Sequence, residues 1–253
     1  MIRSVKDMLG YKIAATDDRV GHLRDMLMDD FAWTVRYLGI DTAFILAGRD
    51  VLLAPDVVTG IDDDAKEVAV SITAEQVREA PGLGTDMPLS RQLELDIAKH
   101  YNWQPYWLKD PLPYPVGRLA THEAVPDLKR VLESLENSTV RSFRELAGYH
   151  IHTTDGELGH AEDFLIDADW VVRYLVIDTR NWLPGRKVLI GPSWIEEITW
   201  AEQQVVIDLP RQRIADSPEY DPSRPLTREE EIKLHEHYGK TPYWQRSERA
   251  QSG

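Results

Sequence analysis

A chain of 253 residues with a net charge of −14 and no cysteine has room for two ordinary domains and excludes disulfides, zinc–thiolate sites and cysteine nucleophiles. The charge is spread evenly, −7 over residues 1–108, −1 over 109–138 and −6 over 139–253, so no basic face offers phosphate neutralisation and no nucleic-acid partner is expected. No apolar run reaches the roughly 18–20 residues of a membrane-spanning helix, and Met1-Ile2-Arg3-Ser4 opens no leader-like stretch, so a soluble, cytoplasmic protein is expected.

The chain reads nearly the same passage twice. Trp33-Thr34-Val35-Arg36-Tyr37-Leu38-Gly39-Ile40-Asp41-Thr42 returns as Trp170-Val171-Val172-Arg173-Tyr174-Leu175-Val176-Ile177-Asp178-Thr179, and the same offset carries His100-Tyr101 onto His237-Tyr238 and Pro105-Tyr106-Trp107 onto Pro242-Tyr243-Trp244. In chain order, the first repeat opens with a strand over 11–16 and a turn over 17–21. A period-two strand follows through Leu23, Asp25, Leu27 and Asp29, then a turn over 29–32 and the Trp33–Thr42 strand. The second repeat does the same through Gly159, Ala161, Asp163, Leu165 and Asp167, one residue shorter at Ala168-Asp169. Short strands over 51–53 and 57–61 lead into a hairpin loop at Asp62-Asp63-Asp64, which lacks the glycine and terminal glutamate of a calcium loop. Gly82-Leu83-Gly84 reads as a loop.

Ser90 and Thr227 are placed to cap helices over 91–101 and 228–238, Thr227 with Glu230 as a capping box. Leu93, Ile97 and Tyr101 give the first helix an apolar stripe, and Ile232 and Leu234 give the second a thinner one. A short helix follows Thr73. The connector 109–138 holds Pro111, Pro113 and Pro115, a stiff spacer, then Pro126 opening a helix whose Leu128, Val131, Leu132 and Leu135 share a face. The organisation is therefore a repeat over 1–108, a proline-rich connector over 109–138 and a second repeat over 139–253.

The candidate functional residues are those that repeat: Trp33, Arg36, Tyr37, Asp41, Tyr106 and Trp107, with Trp170, Arg173, Tyr174, Asp178, Tyr243 and Trp244. The Trp-to-Thr strand is apolar on both faces and so is covered on both. Its Arg36 and Asp41 either satisfy turns and buried polar groups or form a ligand or partner surface used by both repeats. The proline-rigidified aromatic tails either fold back on their own domain or dock across onto the other repeat or a partner. Among the eight histidines, His150 and His152 share a strand face and are the metal candidates, without a third ligand and without a counterpart in the first repeat. His235 and His237 point in different directions on a helix. No nucleophile elbow, phosphate loop, zincin or kinase motif occurs, so neither an enzyme nor a bound cofactor is expected.

With these strands laid out, both halves resemble the PRC-barrel family. The resemblance rests on 21–29 with Arg36-Tyr37-Leu38-Gly39-Ile40-Asp41, and on 159–167 with Arg173-Tyr174-Leu175-Val176-Ile177-Asp178-Thr179 and Val188-Leu189-Ile190-Gly191-Pro192. It covers roughly 1–80 and 139–217. The family includes the cytoplasmic barrel of the photosynthetic reaction centre H subunit and a domain of a ribosome-maturation factor. This chain lacks the membrane helix of the one and the second domain of the other.

The fold implied is mainly β with peripheral helices: two tandem PRC-like barrels, each followed by a C-terminal helix, paired as an intramolecular pseudo-dimer about a pseudo-two-fold axis. The function implied is protein interaction, scaffolding or assembly, linked to photosynthetic or electron-transport complexes. A second expectation is a small-molecule or metal-binding regulatory protein that uses the groove between repeats or the His150/His152 pair.

Overall fold

The computed structural model describes residues 1–42, 50–83, 89–109, 138–179 and 186–245. The expected connector helix around Leu128–Leu135 lies outside them. The described chain is mainly β, 40% strand and 26% helix, in two sheets, and no described helix is long and apolar enough to cross a membrane. It forms two compact units, one of residues 5–145 and one joining residues 1–4 to 146–253.

Strands β1–β8 and β9–β15 are Arg3–Ser4, Lys12–Ala14, Arg19–Asp29, Thr34–Asp41, Asp50–Leu53, Val58–Asp62, Glu67–Val70 and Gly82–Leu83, then Val140–Ser142, His150–Thr153, Gly156–Ile166, Val172–Asp178, Lys187–Ile190, Ile195–Thr199 and Gln204–Ile207. Helices α1–α7 are Val5–Met8, Ala74–Glu79, Arg91–His100, Tyr106–Lys109, Phe143–Leu146, Arg211–Ala215 and Arg228–Tyr238. The first sheet runs β6-β7-β2-β3-β4-β5-β8 with β9 on β3, and the second β13-β12-β11-β10-β15-β14 with β1 on β11. Among the described residues no pairing joins the end strands of either sheet. The repeats share an unanticipated parallel pairing, Lys12↔Glu67 in one and His150↔Gln204 in the other.

β3 and β11 are the spines. Each is 11 residues long and pairs along its length with the Trp-to-Thr strand, through register irregularities at Leu23/Asp25 and Ala161/Asp163. Bulges there bend the strand, and the start of the bend needs a glycine. A Cβ on Gly21 (φ +147°) would lie 2.2 Å from the Asp41 carbonyl oxygen, and on Gly159 2.0 Å from that of Asp178. Within β4, Val35, Tyr37, Leu38 and Ile40 are all buried, so the strand is covered on both faces as its two-sided apolar pattern demands. Gly82–Leu83, expected as a loop, is a short strand that covers β5 through Asp50↔Leu83 and Val51↔Gly82.

The helix caps form as the sequence predicts. Ser90 accepts from the Leu93 amide, and Thr227 and Glu230 make a reciprocal capping box. A second box, Thr73 with Gln76, opens α2. The stripe expected on α7 is corrected. Ile232 is 40% exposed, and the buried face is Glu231, Leu234, His235 and Tyr238. Two charged or polar residues therefore stand where a hydrophobic count looks for aliphatics.

The exchange of short strands was not visible in the sequence. β1 pairs with β11 (Arg3↔Ile166, Ser4↔Leu165), and β9 pairs with β3 (Leu27↔Ser142, Met28↔Arg141, Asp29↔Val140). Arg3-Ser4 and Arg141-Ser142 are equivalent at an offset of 138. Each sheet thus receives a strand from the other repeat's sequence.

Candidate functional site

Of the repeated candidates, Arg36, Tyr37, Tyr106 and Trp107 in one unit, and Arg173, Tyr174, Tyr243 and Trp244 in the other, gather in a cluster between the Trp-to-Thr strand, the C-terminal helix and the aromatic tail. In the 5–145 unit the Arg36 guanidinium lies 4.3 Å from the Tyr106 ring centroid and the Arg91 guanidinium 4.0 Å from that of Trp107. In the other unit Arg173 lies 4.1 Å from Tyr243 and Arg228 3.9 Å from Trp244. Tyr106 meets Tyr37 edge-on at 6.3 Å. The tails therefore fold back on their own units. Cation–π contacts of this kind contribute about 0.5–2 kcal/mol each, more as water is excluded.

At the inner end of each cluster sits a buried carboxylate. Glu94 is 0% exposed. Arg91 Nη1 donates to its Oε2 (2.6 Å) and Ser138 Oγ to its Oε1 (2.5 Å). Burial raises its pKa above the ordinary glutamate value, against the lowering by Ser138 and Arg91. Glu231, its equivalent, pairs with Arg228 at 2.9 Å and accepts from the hydroxyls of Tyr174 and Tyr243, both at 3.0 Å. Because Tyr174 gives its one proton to Glu231, the hydrogen it shares with His235 Nε2 (3.1 Å) belongs to the histidine. Burial holds Tyr37, Tyr106 and Tyr174 well above the ordinary phenol range, reinforced by the neighbouring glutamates. These hydroxyls stay protonated; Tyr174 donates to Glu231, and Tyr106 accepts from Arg91 Nη1 at 3.3 Å.

The outer end is a turn. Asp29 accepts from the Phe31 and Ala32 amides and pairs with Arg36 at 3.3 Å. Asp167 accepts from the Asp169 and Val171 amides and from Arg173 Nε at 2.6 Å. Arg36 and Arg173 are thus committed both to a turn carboxylate and to a ring. The residue that closes each turn is Trp33 or Trp170, and both sit in the left-handed region at φ 51° and 62°. Neither tryptophan is fully buried. A bulky residue in that conformation costs about 1–3 kcal/mol, and here the cost is borne twice. Asp41 and Asp178 lie at the far end of the strand, opposite His22 and His160. Asp178 is buried, 3.9 Å from His160 Nε2.

Two repeated contacts carry no motif. His100 Nε2 lies 2.7 Å from the Gln76 carbonyl and His237 Nε2 2.8 Å from that of Arg213. A carbonyl only accepts, so both Nε2 atoms carry hydrogen, and each ring pins the end of the long helix to the short helix before it. The offset places both histidines in register, which is the one signal the sequence offered. The metal candidates fall elsewhere. His150 is exposed, with Nδ1 3.0 Å from Glu157 Oε1, and a register shift separates Ile151 from His152. Among the described residues no three histidine or carboxylate side chains converge as metal ligands would.

The arrangement links strand, helix and tail in each unit, with the tryptophan turn at its outer end. No family model matches the chain, and no curated protein matches it.

Proposed function

We propose that this chain is a non-catalytic interaction protein that scaffolds or assembles partner proteins, built as two tandem PRC-like barrel repeats and serving photosynthetic or electron-transport complexes. The observation that carries the assembly reading is the pair of half-buried tryptophans held left-handed at equivalent hairpin tips. Strain kept at a partly exposed aromatic marks a position shaped for something other than stability, and rigid aromatics make efficient interface anchors. Two equivalent tips on one chain suit bivalent engagement. The repeated arginines and glutamates support the same reading, because their contacts hold the scaffold behind those tips.

The test is quantitative affinity capture with wild-type chain and with Trp33→Asn, Trp170→Asn and the double substitution, since asparagine tolerates the left-handed turn. Partners recovered by wild type should weaken with each single change and be lost with both. A double variant that recovers the same partners at the same level, with its fold intact by circular dichroism, removes the reading. So does a wild-type chain that recovers none above background.

A further inference from the structure

The completion of each sheet by a foreign strand has a consequence for recognition. β2 covers β3 only over Arg19–His22, and past the bend the same edge is covered by β9. β10 covers β11 only as far as His160, and β1 takes Leu165 and Ile166. Leu27, Met28, Leu165 and Ile166 are at most 2% exposed, so an empty slot would leave a bare ladder edge flanked by core side chains. The latch is the same on both sides. Ser142 Oγ donates to Asp25 Oδ2 and Ser4 Oγ to Asp163 Oδ2, each at 2.5 Å. Both aspartates sit in the bulge and also accept from the amide of the next residue, Met26 or Phe164.

We infer that this edge is a self-recognition site that takes the Arg-Ser strand of a second copy of this chain, so that copies join by the reciprocal exchange the two repeats already make within one chain. Each slot reads two or three ladder pairs and one serine on an aspartate. Both slots accept the same dipeptide, and neither accepts it from its own repeat. Nothing in that chemistry distinguishes β1 of the same chain from β1 of another. The two versions make the same contacts and differ in effective concentration, which a tether sets on the order of 1 mM. Exchange of an identical element is a low-cost route to a dimer. β1 is paired at two positions. β9 has three and is further held by the Asp30 amide on the Thr139 carbonyl and by Arg141 at 3.6 Å from Asp30.

The inference rests on the assembly reading above, yet the two fail separately: capture of a different protein at the tryptophan tips says nothing about self-exchange. The chain has no cysteine, and Ser4 lies directly opposite Leu165. Full-length Ser4→Cys and Leu165→Cys chains are therefore purified separately, mixed at about 1 mM, the scale at which copies compete with the tether, and mildly oxidised. The expected result is a disulfide-linked dimer several-fold more abundant in the mixture than in either variant alone, increasing with concentration. Equal yields overturn the inference. Because Leu165→Cys opens a core position, wild-type chain is also sedimented from about 10 μM to 1 mM, spanning that scale. A dimer that grows across the range is expected. A monomer throughout, or a wild-type dimer whose cysteine variants never link 4 to 165 (including one displaced by an added foreign peptide), overturns it.

Discussion

Glu94 is the most informative residue to perturb, because its neutralisation is visible on both oxygens. Glu94→Ala leaves the Arg91 charge, on a side chain only 13% exposed, without its carboxylate, and leaves the Ser138 hydroxyl without an acceptor. Breaking a buried pair from one side costs about 3–5 kcal/mol. Glu94→Gln keeps the shape and one acceptor and should cost about 1–2 kcal/mol, the scale of a weakened hydrogen bond to a charged group. The pH dependence separates the causes. Burial raises the folded pKa of Glu94, so the folded state favours the protonated form. The stability this gives is fully present below the unfolded-state value of about 4.3 and is lost as pH rises through the raised folded value. Glutamine does not titrate, so the gap between wild type and Glu94→Gln should widen as pH falls from neutrality through the raised folded value. Asp25, also raised chiefly by burial, is present in both chains and cancels. The assay is denaturant unfolding at a series of pH values, following tryptophan fluorescence. A gap that is flat with pH, or that widens toward neutrality, would falsify the account, because Arg91 rather than burial would then control the carboxylate.

Gly21→Ala and Gly159→Ala should each prevent native folding of the affected unit, since the new methyl falls 2.2 or 2.0 Å from a paired carbonyl oxygen; circular dichroism and solubility report it, and a folded variant with an unchanged melting point refutes the close approach. Lys66 and Gln203 are exposed residues at φ 52° and 54°, so glycine at either should stabilise by about 0.5–1 kcal/mol in denaturant melts. A loss of stability at both would contradict the left-handed turns. A protease site placed within 110–137 and cleaved in the folded chain should leave both fragments eluting together, because β1 and β9 each complete the other fragment's sheet; two separated peaks in native buffer would refute the exchange.

The offset near 137 made the Trp-to-Thr strand, the caps at Ser90 and Thr227 and the aromatic tails legible, because those elements depend on local pattern. The convergence of Arg36, Tyr37, Tyr106 and Trp107 did not follow from pattern: the sequence left the tail free to fold back or to dock across, and the Arg36–Tyr106 contact decides for its own unit. Other features resist a local reading. A two-residue strand such as Arg3–Ser4 has no periodicity to detect, and its meaning lies in a bulged edge 160 residues away in sequence. Arg91 and Glu94 at i, i+3 look like an exposed helix pair, whereas in the fold Ser138 and the docked tail pack on them. Trp33 reads as the first residue of a strand by propensity, whereas the Asp29 turn forces it left-handed. Propensity yields there to hydrogen bonding.

The two glutamates are both buried but have different partners, and that difference makes the units unequal. In the 5–145 unit the partner is Ser138, whose Oγ also accepts from the Val140 amide at 3.2 Å, so Glu94 ties α3 to the start of the exchanged strand β9. In the other unit the partners are Tyr174 and Tyr243, which tie α7 to β12 and to the tail. Loss of the Glu94 carboxylate should therefore loosen β9, while loss of Glu231 should leave β1 seated. Double-mutant cycles measure this directly. Glu94→Gln with Ser142→Ala should couple by about 0.5 kcal/mol or more, as residues sharing a network do, whereas Glu231→Gln with Ser4→Ala should add within about 0.3–0.5 kcal/mol. Hydrogen exchange over 140–142 and over 3–4 gives an independent readout, with faster exchange in the first variant pair alone. Equal coupling in the two units would mean that the carboxylate acts on strand exchange through the sheet in general, and the specific route through Ser138 would be wrong.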